Sequence, residues 1–159
     1  MTRVIVLDST PLGLAAGPPG SLPAYLCRTW LSDLVKAGVR IIVPEICDYE
    51  VRRKFLHTSI RNGLPSPAGI QRLNDLATRH EYLPISTDAM RLAAGFWAAL
   101  QASGQPTASE KALDADAILA AQASLAGGSG DIVTVATSNV RHLSRFTGID
   151  AREWSSIRP

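Results

Sequence analysis

The sequence predicts one α/β domain over residues 1–159, a three-layer α/β/α sandwich around a mostly parallel sheet of about five strands. Three observations carry this expectation. Arg3–Leu7 (RVIVL) is an apolar, largely β-branched run, the composition of a strand buried on both faces. Similar runs return at Val39–Val43 (VRIIV) and Asp131–Ala136 (DIVTVA), with helix-periodic stretches between them. That alternation belongs to parallel strands joined by crossover helices. The third observation is size and composition. A chain of 159 residues, 46% hydrophobic and 19% charged, can bury one sizeable core and is not disordered.

The first strand ends at Asp8, ahead of Ser9, Thr10 and Pro11. Open parallel sheets place ligands at the carboxyl ends of their strands. Asp8 therefore has two readings, a site carboxylate or the cap of a short helix over Pro11–Ala15. Gly17–Gly20 (GPPG) is a turn. Leu22–Ala37 is expected to be helical from the spacing of Leu26, Trp30, Leu31, Leu34 and Val35, with Gly38 closing it.

After the second strand, Pro44 is expected at the first position of a helix running to about Asn62. In it, Cys47, Val51 and Phe55 form a core stripe. Glu50 falls ~100° from Val51, at the edge of that stripe. A surface pair with Lys54 is its plain structural account. Glu45 reads as a first-turn acid suited to the helix dipole. Arg52, Arg53 and Lys54 form a basic cluster that borders Glu50.

Gly63–Pro67 breaks the chain before a helix over Ala68–Arg79. Glu81–Ile85 (EYLPI) is a third strand, assigned to a sheet edge by Pro84. A helix from Ser86 to Ser103, capped by Ser86 or Thr87, has a wide apolar arc, with Trp97 expected in the core. Gly104–Lys111 is a loop. Leu113–Ala123 (LDADAILAAQA) then predicts a helix from about Asp114 to Ala126. One Asp at its start would serve as a cap. Asp114 and Asp116 diverge by about 200° around a helix axis, so they cannot both cap and both face one site. The fourth strand runs into Thr137–Ser138–Asn139. Asn139 is thus a polar residue at a strand end, with capping of a Val140–Arg145 turn as its alternative. Ile149–Trp154 supplies a short fifth strand, with Trp154 packing as a lid near the C-terminus.

The formal net charge of +2 leaves any affinity for nucleic acid to local charge. Cys27 and Cys47 lack CxxC spacing and a histidine at zinc spacing, and read as buried free thiols in a reducing compartment. The first residues lack the apolar core of a signal peptide. No apolar run approaches a membrane span. A cytoplasmic protein with no membrane partner is the expectation. No nucleophile elbow, P-loop or dinucleotide motif is present, and His57, His80 and His142 are scattered. Acids with one amide remain. Such oxygen donors suit Mg²⁺ or Mn²⁺. Those ions polarise phosphate, activate water and offset the repulsion of clustered carboxylates.

Four stretches in this order resemble PIN-domain proteins, and more closely bacterial PIN proteins of the VapC toxin type. They are the strand ending at Asp8, PEICDYEVRR, LDADAILAAQA and VATSNVRHLSRF. The resemblance covers nearly the whole chain. It implies a metal-dependent endoribonuclease whose toxin members are held inactive by an antitoxin protein. It also implies site residues. The first acid of the family matches Asp8, its helix acid matches Glu50 in Glu50–Val51–Arg52–Arg53, and its third acid matches Asp116 in DAILAA. The fourth position, often Asp, falls on Asn139, which leaves Asp114 as a compensating acid. The implied catalytic set is Asp8, Glu50, Asp116 and Asn139. The implied holders of Mg²⁺ or Mn²⁺ are Asp8, Glu50, Asp116 and Asp114. Arg52, Arg53, Arg141 and His142 are the candidates for the RNA backbone. A small antitoxin and a homodimer are the expected partners besides RNA. Two other readings are a non-catalytic binding module of the same fold and a receiver-like or phosphatase-like protein with Asp8 as nucleophile. The latter lacks paired acids after the first strand and a lysine after the fourth.

Overall fold

The computed structural model describes residues 1–65, 68–104 and 110–159. Five parallel strands form one sheet, and seven α-helices and one short 3-10 helix (Trp154–Ser156) occur among the described residues. The chain runs β1 (Arg3–Leu7), α1 (Ser9–Ala15), α2 (Leu22–Lys36), β2 (Arg40–Pro44), α3 (Glu45–Arg61), α4 (Ala68–Arg79) and β3 (Glu81–Leu83). It continues with α5 (Thr87–Ala102), α6 (Glu110–Ser124), β4 (Ile132–Thr137), α7 (Val140–Leu143) and β5 (Ala151–Glu153). The strand order is β3-β2-β1-β4-β5.

The most apolar strand lies at the centre. Val4, Ile5, Val6 and Leu7 are all buried, because β1 has β2 on one side and β4 on the other, with both faces covered. In register, Leu7 stands opposite Ala136, so the next residues, Asp8 and Thr137, emerge together at the carboxyl ends of their strands. Asp8 N–H donates to Ala136 O at 3.0 Å, which extends the ladder by one residue. As the sequence predicts, β3 is an edge strand. It ends at Leu83, immediately before Pro84, which has no N–H to donate.

Several expectations shift. Pro44 closes β2 and stands at the N-cap of α3 in an extended conformation, so the helix begins at Glu45 and not on the proline. The ring fixes φ but tolerates a strand end as readily as a first helical turn. The predicted loop over Gly104–Lys111 is helical at Glu110 and Lys111, and its residues 105–109 lie outside the described ones. The helix formers Glu110, Lys111 and Ala112 extend α6 backwards. Asp114 and Asp116 are therefore its fifth and seventh residues (Glu110 being the first), and neither caps it. Trp97, expected in the core, is 36% exposed and lines a surface cavity with Met90. Cys27 and Cys47 are buried free thiols, as expected. Trp154 packs edge-on against Trp30, whose indole N–H donates to Ile157 O.

Candidate active site

Asp8 is the fixed point of the site. Its Oδ1 accepts from Ser9 N–H at 2.6 Å, and its Oδ2 accepts from the Thr137 hydroxyl at 2.7 Å. The two readings of Asp8 are thus not exclusive. It caps α1 and also presents a carboxylate at the sheet edge. Thr137 is fully buried, and its Oγ1 accepts from Asn139 N–H at 2.8 Å. That bond ties the turn after β4 to the strand end.

The helix after β2 brings the second acid. The Cys47 thiol donates to Asp8 Oδ1 at 3.8 Å, and Glu50 follows one helical turn later. Ligand atoms of Asp8, Cys47 and Glu50 all lie within 4.8 Å of one another. Burial raises the Glu50 carboxyl above its ordinary range, and the charge of Asp8 adds to this, with Arg53 and Lys54 opposing. The pair Glu50 makes is with Arg53 at 3.8 Å, not with Lys54. Burial, together with the charges of Asp8, Glu50 and Asp116, pushes the Cys47 thiol well up, so it stays protonated.

The third acid comes from α6. The Asp116 carboxyl is pushed up to about 7, first by burial and then by the charges of Asp8 and Glu50, with Arg145 opposing. His142 Nδ1 stands 3.8 Å from Asp116 Oδ2. The placement of α6 rests on Gln122, which is buried. Its Oε1 accepts from Ile46 N–H at 3.2 Å, at the start of α3, and its amide donates to Leu83 O at 2.7 Å. The amide thereby joins α6, α3 and β3.

Beyond burial, the charge of Asp8 raises the proton affinity of Glu50, and the charges of Asp8 and Glu50 raise that of Asp116, so the cluster carries more negative charge than its neighbours balance. An all-oxygen donor set with uncompensated charge fits a hard divalent cation.

The remaining sequence candidates divide. Asp114 is exposed and does not join the cluster, since its charge is not among the causes that raise Glu50 or Asp116. Two residues along a helix turn it to another face, where it lines a surface cavity. Asn139 is exposed at the N-cap of α7, and its side chain makes no capping bond. It shares a groove of about 660 Å³ with Ser138, Arg141, His142 and Arg145. Arg53 stands beside Glu50. Arg52 does not face the cluster. Its guanidinium bonds Asp48 Oδ1 and Asn74 Oδ1, each at 2.9 Å, because two residues of helix turn it away from Glu50. Glu45 accepts from Ile85 N–H and so holds the segment entering α5.

No family model and no curated protein matches this chain. Solved structures do. One is VapBC2 from Rickettsia felis, bound to a DNA fragment from its promoter, with a TM-score of 0.64 at 14% identity over 94% of this chain and 97% of that one. Another is VapBC-1 from nontypeable Haemophilus influenzae, with a TM-score of 0.64 at 16% identity over 96% and 99% of the two chains. A third is FitAcB from Neisseria gonorrhoeae, with a TM-score of 0.63 at 16% identity over 96% and 99%.

The fold is the PIN-domain, VapC-like one. Within it, sequence reasoning passed over three residues. Thr137 was visible only as part of a polar strand end. Its bond to Asp8 needs the β1–β4 pairing, which joins residues 129 positions apart. Cys47 looked like core because it sits on the apolar stripe of α3. Gln122 does carry a signal in the sequence, a lone amide in the apolar run AILAAQA. Among the described residues, no helix is long and apolar enough to cross a membrane.

Proposed function

We propose that this chain is a Mg²⁺- or Mn²⁺-dependent endoribonuclease that hydrolyses RNA phosphodiester bonds, and the toxin of a toxin–antitoxin pair. The observation that carries the reading is the convergence of Asp8, Glu50 and Asp116 from three separate elements, with the Asp116 carboxyl at about 7. The PIN-domain fold shared with the VapBC structures supports it.

Asp8, Glu50 and Asp116 would hold the ion, which when bound polarises the scissile phosphate and makes water nucleophilic at neutral pH. The chain's own part is positioning and charge. Ser9 N–H and the Thr137 hydroxyl hold the Asp8 carboxylate in one orientation. The charges of Arg53 and Lys54 on one side and Arg145 on the other oppose the rise in proton affinity of Glu50 and Asp116. Arg141 and His142, which share the open groove with Asn139, would meet the RNA backbone. Asn139 adds an amide and no charge, so the ion-holding set is three acids and not four.

The test is cleavage of RNA by the purified protein with Mg²⁺ or Mn²⁺, lost on adding chelator. Full activity in EDTA overturns the metal mechanism. The amide at position 139 favours one second reading, a binding module of the same fold, which would bind RNA and leave it intact under every metal condition. The toxin assignment implies a cytoplasmic protein, a small antitoxin encoded beside it, and a homodimer. Coexpression with the product of the adjacent reading frame tests the first partner, and light scattering the second.

A further inference from the structure

Beside the acid cluster, α3 and α6 leave between them a cavity of about 500 Å³, in the size range of small-ligand sites. Glu50 lines it, so the cavity opens directly off the cluster. Tyr49, Arg53 and Lys54 share that wall. Tyr49 is 55% exposed, and the Arg53 guanidinium lies 5.1 Å from its ring centroid. From α6, Asp114 and Ile118 form the facing wall. Among the described residues, no side chain bonds to or pairs with the Asp114 carboxylate.

These parts match those of a nucleotide. Bases stack on aromatic rings and on guanidinium planes. Arginine and lysine answer the phosphates on either side of a base. A carboxylate only accepts, so it selects a base edge that only donates. Guanine alone among the four RNA bases sets two donors, N1–H and N2–H, side by side on its Watson–Crick edge. Adenine and cytosine place one amino donor beside a bare ring nitrogen, which a carboxylate oxygen repels. Uracil has one donor between two carbonyls.

We infer that the α3–α6 cavity is a nucleobase subsite in which Asp114 selects guanine next to the scissile phosphate, an inference that rests on the ribonuclease reading. The base stacks on the Tyr49–Arg53 platform, and its N1–H and N2–H donate to the two Asp114 oxygens. Lys54 and Arg53 meet the adjoining phosphates. Asp114 is then a specificity residue and not a metal ligand.

The test is binding of uridine pentanucleotides with one central guanosine, inosine or adenosine, read by fluorescence anisotropy with Ca²⁺ present, beside mapping of Mg²⁺-dependent cuts in a longer RNA. Guanosine should bind tightest. Inosine, which lacks the N2 amino group, should bind about tenfold more weakly, the discrimination of one good polar contact. Asp114→Asn should move the preference towards adenosine, because an amide offers one donor and one acceptor. Tyr49→Ala should weaken all three RNAs by about tenfold, the loss of a stacking face. Equal affinity for the three, no measurable binding, or an order of preference unchanged in Asp114→Asn overturns the subsite. Cuts at positions unrelated to guanosine, unchanged in Asp114→Asn, overturn the subsite and leave the ribonuclease standing. A guanosine preference that tracks Asp114 with no cleavage under Mg²⁺ removes the ribonuclease and keeps the base site.

Discussion

Helix α3 carries two polar centres built from similar residues and opposite in character. On one face, Asp48 is buried, and its carboxylate accepts from Arg52 at 2.9 Å and from the Tyr82 hydroxyl at 3.0 Å. Arg52 also reaches Asn74, so the centre ties α3 to α4 and β3. On another face, Glu50 meets Asp8 and Asp116, and burial together with like charges raises the proton affinity of both Glu50 and Asp116. The first centre is satisfied and holds the fold together. The second is held by the fold against its own repulsion. Satisfied polar groups read as architecture, and strained ones as candidate function.

The largest separation of the two centres is expected in activity. Asp8→Asn and Asp116→Asn should each cut RNA cleavage by about a hundredfold or more, the scale of removing a group that stabilises transition-state charge. Both should stay folded by circular dichroism. Asp48→Asn should keep cleavage per folded molecule. Equal losses in Asp48→Asn and Asp116→Asn would erase the distinction. Stability should show the reverse pattern. Arg52→Ala leaves the buried Asp48 with only Tyr82, and should cost about 1–3 kcal/mol in urea unfolding. A cost near zero would make this centre ornamental.

Asp116→Asn should change stability with the opposite sign. It removes one of three converging charges, so in EDTA it should raise stability by about 1 kcal/mol, with solvent blunting the bare repulsion. It should also reduce the further gain from Mg²⁺, which only native-state binding supplies. The pH dependence follows from the same acid. Its carboxyl titrates at 3.8 in the free chain and about 7 in the fold. Between those values the native state holds a proton that the unfolded chain has lost. The contribution of Asp116 to metal-free stability is therefore fully present below about pH 4 and lost as pH rises through about 7. Thermal melts in EDTA across that window should slope downward for the parent and flatten in Asp116→Asn. The smallest effect concerns RNA. Arg53→Ala should lower the salt slope of RNA binding by about one contact, and Arg52→Ala should leave it unchanged. A fall in the Arg52→Ala slope would place that residue on the RNA after all.

The sequence by itself determined the alternation of buried strands and helices, and with it the parallel sheet. Apolar runs such as RVIVL and IVTVA favour a covered position, and both strands are buried towards their carboxyl ends, where the site lies. It also put Asp8 at a strand end, because a polar residue stops such a run. Tertiary structure alone decided which polar residues meet. The neighbours Arg52 and Arg53 have near-identical chemistry, yet one binds Asp48 and the other stands by Glu50. Asp114 and Asp116 differ only by about half a turn of a helix that Gln122 ties to α3 and β3. Periodicity gives relative angles along one helix. It does not give the rotation of that helix against a strand, and Asp8 meets Thr137 across 129 residues only once β1 and β4 have paired.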